Sequence, residues 1–384
     1  MAKLGMYIQQ VRGVSYKPAD VRNKNDSEAV PILRANNIDD GILNFDDLVY
    51  VDRARVKQEQ LLKQGDILLC ASSGSKKLVG KAAQVENSIS YSFGAFCKVV
   101  RTESNLQGYM GHFFQSPYYR AKISQSSEGA NINNIRSNDI DSLDIDIPSQ
   151  EECNARVAEL DRLSYLILKR REQLQCFDDL VKSQFIEMFG GYDLRDKQGD
   201  WIKISEIAEV VGGSTPKTNI EKYWDGDFLW VTPAEIASDT GLLNSTERTI
   251  TKEGVDSCSL KVLPRGTVLL SSRAPIGKVA IVGKEMYCNQ GFKNLICRER
   301  VNPWYIYHLL KYNNEYLNSL GRGATFKEIS KSIVENIYIP IPSRKQQDGF
   351  ARFVEQIDKS KFRIKESLKN LENCYKALLQ KYFG

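Results

Sequence analysis

Few residues in this sequence carry chemistry, and the first to weigh is the tetrapeptide Asn302-Pro303-Trp304-Tyr305. It resembles the Asn-Pro-Pro-aromatic motif that grips a flipped adenine for methylation at N6, but tryptophan stands at its third position. No strand, glycine-rich loop and helix follow one another with nucleotide-binding spacing, since Gly212-Gly213 lies in a loop without the G-x-G-x-x-G pattern. A proline at the first position of a helix accounts for the tetrapeptide. The only histidines, His112 and His308, sit in the apolar helical runs GHFF and YHLL with no second histidine or cysteine at ligand spacing. They read as core or boundary residues. Eight cysteines form no C-x-x-C pair and read as reduced thiols of a cytoplasmic protein. No nucleophile has a local base, and no acid pair with an intervening lysine follows a strand. The sequence therefore predicts no catalytic residue, no metal ion and no cofactor.

The elements that carry these residues are written twice. QGDILLCASSGSKKLVGKAA at 64–83 returns as RGTVLLSSRAPIGKVA at 265–280, and GANINNI…IDIPS at 129–149 returns as GATFKEI…IPIPS at 323–343. The spacing shrinks from 201 residues at Gly65/Gly266, through Gly94/Gly291, to 194 at Phe189/Phe383, as a few loop deletions in a duplicated gene would produce. A period this long means two domains rather than a solenoid. Each copy opens with a mixed part holding short buried strands such as Asp66–Cys70 and Thr267–Ser271. Each then passes through a proline into a capping box, Ser149 with Glu152 and Ser343 with Gln346, that starts a long helix. Leu160, Ile167, Leu174, Val181 and Met188 recur every seven residues in the first helix, and Phe350, Ile357, Ile364, Leu371 and Leu378 in the second. Helices of roughly 50–57 Å with such a seam need a partner helix, and each is the other's. Because the second mixed part lies between the helices and joins both through short links, they must run antiparallel. The expected fold is α+β: mixed globular domains at 1–148 and 191–342, at opposite ends of a coiled coil made by 149–190 and 343–384, related by a pseudo-twofold axis.

Composition narrows the partners. The net charge is +5, and no segment is basic enough to hold nucleic acid by charge alone. No stretch approaches the apolar length of a membrane span. The repeat keeps its scaffold but changes its polar tips. Arg34, Asn36 and Asn37 correspond to Thr232 and Glu235, and the loop Ser72–Lys77 to Ser272 and Arg273. Ser90 and Tyr91 lie near Asn289 and Gln290, and Asn131, Asn133 and Asn134 match Thr325, Lys327 and Glu328. With Ser73, Ser75, Lys76, Lys77, Ser214, Lys217, Lys278 and Arg322 these are residue types that bond base edges and phosphates. Lysines would hold phosphates; arginine, asparagine and glutamine would read bases.

Taken together, PILRANNIDDGILNFDDLVYV with QGDILLCASSGSKKLVGKAA, FLWVTPAEI with GTVLLSSRAPIGKVAI and NQGFKNLI, and the helix ends KSQFIEMFG and LLQKYFG resemble the specificity subunit of type I restriction–modification enzymes over nearly the whole chain. The resemblance implies two target recognition domains, each reading one half of a split, asymmetric sequence of double-stranded DNA. It implies helices that set the spacer and dock two methyltransferase subunits, restriction subunits that join the complex, and no catalytic centre in the chain itself. The rival readings are a stand-alone DNA adenine methyltransferase and a coiled-coil scaffold with heads that do not bind DNA.

Overall fold

The computed structural model describes residues 2–75, 77–126, 133–191, 193–197, 199–237, 239–323 and 327–384. The chain divides into two compact units, Met1–Glu172 with Lys365–Gly384, and Gln173–Ile364. The division falls inside both long helices, Gln150–Phe189 and Arg344–Phe383, so each unit owns a segment of each.

The two units repeat one topology. In the first, an antiparallel sheet has the order Ile8–Arg12, Cys97–Thr102, Ile67–Cys70, Ala82–Gln84. In the second, the order is Ala208–Gly212, Lys293–Cys297, Val268–Leu270, Val279–Val282, closed by the short strand Leu242–Leu243. All residues of Ile67–Cys70 and Val279–Val282 are buried, which explains why these strands read as continuous apolar runs rather than alternating ones. A three-stranded sheet accompanies each, built on Ala29–Leu33 in one unit and Trp224–Val231 in the other, and each of these strands pairs in parallel with a short strand, Ser92–Phe93 or Tyr287–Cys288. An antiparallel pair ties each unit's first strand to the strand before its long helix: Ala2–Lys3 to Asp144–Ile145, and Ile202–Lys203 to Tyr338–Ile339.

Serine starts both long helices. Ser343 and Gln346 form the full reciprocal box, with the Ser343 amide donating to Gln346 Oε1 at 3.2 Å. Ser149 accepts from the Glu152 amide at 3.3 Å, while Glu152 turns its carboxylate to Arg156. Within each unit the two helix segments run antiparallel. In the first, Glu159 meets Tyr382 and Arg171 meets Glu372, the latter at 2.8 Å. In the second, Asp178 meets Lys361 at 2.7 Å, and Phe185 packs edge-on against Phe350. The heptad positions Leu160 and Val181 are buried, and Ile167, Leu174, Ile357, Ile364, Leu371 and Leu378 are half-buried along these seams.

The helix ends lock onto matching aromatic sockets. Phe383 packs on Tyr109, whose hydroxyl donates to the Asp146 carbonyl at 2.9 Å. Phe189 packs on Tyr305, whose hydroxyl donates to the Pro340 carbonyl at 2.8 Å. The histidines lie beside these sockets. His112 has both ring nitrogens engaged, by the Tyr375 hydroxyl at 2.9 Å and Asp161 at 2.8 Å. His308 faces the Tyr312 hydroxyl at 3.1 Å and sits edge-on to Phe350, with its Nε2 buried and unpartnered. Burial, helped by the nearby Lys311 and Lys361 cations, pushes its pKa down to about 3. Both histidines are thus core residues, and Asn302-Pro303 is a helix start in which the Asn302 side chain accepts from the Trp304 amide.

Candidate nucleic-acid interface

The polar loops of the second unit are joined to one another by backbone hydrogen bonds. The Ser214 amide donates to the Cys288 carbonyl, the Asn289 amide to the Val231 carbonyl next to Thr232, and the Ser272 amide to the Gly291 carbonyl. The Ile329 amide donates to Ser272, and Arg322 pairs across Glu328 through both amides. One patch therefore carries Ser214, Thr232, Arg273, Asn289, Gln290 and Arg322. Arg273 and Gln290 are exposed there, as are Arg322, Lys217 and Lys327. Arg273 donates from Nε to Glu328 at 3.1 Å, and Lys293 reaches the same carboxylate at 3.3 Å. Burial opposes ionisation of Glu328, but the bonds from Lys293 and Arg273 outweigh it and hold its carboxyl below the usual range.

The first unit builds the same frame from different side chains. The Gly94 amide donates to the Leu33 carbonyl next to Arg34, and the Ala71 and Ser72 amides to the Phe96 carbonyl. The Ile135 amide donates to Ala71, and the Asn133–Asn134 strand pairs with Ser72–Ser73. These bonds correct the alignment read from sequence. Gly94 occupies the place of Asn289 rather than Gly291, Phe96 occupies the place of Gly291, and Tyr91 matches Met286, the carbonyl of each accepting from the corresponding leucine amide, Leu62 or Leu263. Pairing Gly94 with Gly291 by residue type made the slip, because only the hydrogen bonds show which residue meets which strand. Within this frame Ser72 stands where Arg273 stands, and Asn134 where Glu328 stands.

The remaining candidates separate by what they touch. Asn37 is fully buried, and its amide donates to the Asp46 carbonyl at 2.7 Å, so it shapes its loop instead of facing a ligand. Arg34 forks onto the carbonyl and carboxylate of Asp47, and the exposed Asn36 leans on the same carboxylate at 3.2 Å. Lys278 donates to the Pro233 carbonyl at 3.0 Å and is half-buried, a strut between two loops. Ser73 is half-buried, and Ser75 and Lys77 are exposed. Half-buried Tyr91 packs edge-on against Phe45. Lys76, Asn131 and Thr325 lie outside the described residues, and Asn133 is described through its backbone alone. Lys293 and the exposed Phe96 escaped the sequence reading: Lys293 opens the strand Lys293–Cys297, and Phe96 lies in a turn. Among the described residues, no cluster of three histidine, cysteine or acidic side chains is arranged to hold a metal ion, and no helix is long and apolar enough to cross a membrane.

Residues 199–373 match the type I restriction modification DNA specificity domain. The match spans the second mixed part and most of the long helix that follows it. It is 38% identical over 209 residues to the type I restriction enzyme MjaIX specificity subunit of Methanocaldococcus jannaschii, a match covering 53% of this chain and 48% of that one, about half the relative's length. It is 27% identical over 402 residues to the type I restriction enzyme EcoKI specificity subunit of Escherichia coli K12, covering 97% of this chain and 86% of that one. The crystal structure of the type-I restriction-modification system S subunit from M. genitalium shares the fold: TM-score 0.57 at 13% identity, over 100% of this chain and 95% of that one.

Proposed function

We propose that this chain is the sequence-reading, non-catalytic subunit of a cytoplasmic type I restriction–modification complex. Each unit contacts one half of a split DNA target through its loop patch, and the paired long helices set the spacer and dock two methyltransferase subunits; restriction subunits join that core. The observation that carries this reading is one hydrogen-bonded loop frame built twice with different side chains on it: Ser72 against Arg273, and Asn134 against Glu328. A kept frame with altered tips suits two readers of unlike sequences, because specificity resides in base-edge contacts and not in the scaffold. The modest net charge fits a subunit whose partners supply part of the phosphate affinity. The contact set under this reading is Arg34, Asn36, Ser73, Ser75, Ser214, Lys217, Thr232, Arg273, Asn289, Gln290, Arg322 and Lys327, with Asn37, Tyr91 and Lys278 positioning them.

The test is selection of bound or methylated duplexes from a randomised library by the full chain together with its methyltransferase partner. One bipartite motif with two unlike halves is expected. Methyl transfer from S-adenosylmethionine by the purified chain alone would favour the rival enzyme reading. Absence of any sequence-selective retention with the partner present would favour a scaffold with other ligands.

A further inference from the structure

We infer that Phe96 is a specificity residue of the first unit, reading the 5-methyl group of a thymine in its half-site; this rests on the function proposed above. A single exposed phenylalanine is ordinary on a protein surface. This one differs in how it is held and where. Its residue is 71% exposed, yet its carbonyl accepts from two amides, Ala71 at 2.9 Å and Ser72 at 3.0 Å. The turn before it is closed by the Cys97 amide on the Gly94 carbonyl at 2.8 Å and anchored by the Gly94 amide on Leu33 at 2.9 Å. Gly13 packs so tightly on this turn that a Cβ there would lie 2.0 Å from the Gly94 oxygen. The backbone is pinned from four sides, and the ring points into solvent.

Its turn belongs to the loop frame that carries this unit's proposed contact residues. Ser72 bonds its carbonyl directly, and a Cβ at Gly94 would lie 3.8 Å from Arg34. The second unit offers a control inside the same chain. There the equivalent carbonyl, taking the bond from the Ser272 amide at 2.7 Å, belongs to Gly291, which has no side chain. The frame needs no aromatic at this place, so the phenylalanine answers to something outside the fold. Most base-edge features in the major groove are polar donors and acceptors; the thymine methyl is the apolar one, and a rigid phenyl ring is a fitting partner for it.

The experiment takes the bipartite motif selected by the wild-type complex and replaces each thymine of the first unit's half-site, singly, by deoxyuridine, which lacks only the methyl. One replacement should weaken wild-type binding about fourfold, the worth of one buried methyl group. Phe96→Ala should be indifferent to that replacement and should relax base preference at that position, leaving the other half-site intact. Phe96→Leu, which keeps an apolar tip, should retain part of the response and guards against misreading a folding defect. The inference is overturned if no thymine of that half-site responds in the wild type, or if Phe96→Ala responds as the wild type does. A wild-type complex that selects no motif at all would instead remove the DNA-reading function itself.

Discussion

Replacing Glu328 by alanine should strengthen the second unit's grip on any DNA while blurring its choice of sequence. Glu328 holds Arg273 at 3.1 Å and Lys293 at 3.3 Å, and the Arg273 side chain is half-exposed. The exposed Arg273 pair contributes about 0–1 kcal/mol to stability, and the mostly buried Lys293 keeps its bond to Ser272 Oγ at 3.4 Å, so the fold should survive the change. The electrostatic consequence is larger. With its counter-charge gone, one released cation that finds a phosphate steepens the dependence of log affinity on log salt by about 0.9. Between roughly 200 and 50 mM salt, random duplex should then gain about 3.5-fold more affinity than it does with the wild type. Arg273→Ala is the converse. A bidentate guanine contact is worth about 1–3 kcal/mol of discrimination, or about 5- to 150-fold, and should vanish from cognate binding alone. Fluorescence anisotropy of the full chain with its methyltransferase partner, on cognate and random duplexes across the salt range, measures both. An unchanged salt slope in Glu328→Ala, with equal weakening of both duplexes in Arg273→Ala, would refute the assignment of Arg273 as a base reader gated by Glu328.

Other expectations follow from the same geometry. Exchanging residues 1–148 for those of another family member should change one half-site of the selected motif and leave the other intact. Phe185→Ala opens a hole among Phe189, Tyr305, Tyr312 and Phe350 and should lower the unfolding free energy by about 3–5 kcal/mol in denaturant titration. His308, neutral in the fold down to about pH 3, takes up a proton on unfolding below about 6.5. Stability should accordingly fall as pH drops from about 6.5 toward 3, by up to about 1.4 kcal/mol per pH unit from this residue, and His308→Phe should flatten that part of the profile. Four residues inserted near the middle of both long helices add roughly 6 Å and should lengthen the selected spacer by one or two base pairs, with both half-site sequences unchanged.

The parts of the fold that local sequence controls were legible. Heptad leucines and isoleucines, serine caps after proline, and fully apolar strands announced the helices, their starts and the sheet centres. The core placement of both histidines followed from their apolar neighbours. The candidate surface was legible only as a set. Asn37 looks like a reader by type, yet its burial depends on Asp46 and Asn44 closing over it. Lys278 looks like a phosphate holder, yet the Pro233 carbonyl lies within reach of its ammonium. Phe96 is exposed on a turn against which Gly13, more than eighty residues away, packs closely. Such roles are set by strand register across the unit, which no window of sequence contains.

The division of the long helices has a consequence for how the chain is made. The second unit is one uninterrupted stretch, Gln173–Ile364, and holds all its parts once residue 364 has left the ribosome. The first needs Lys365–Gly384 as well, and its aromatic socket at Tyr109 and Phe113 stays open until Phe383 arrives. Domains usually finish in the order they are translated; here the unit begun first is the last to close. Until Phe383 and Tyr375 are made, Tyr109, Phe113 and His112 await the partners that cover them, and a pause in translation before that segment would leave them bare.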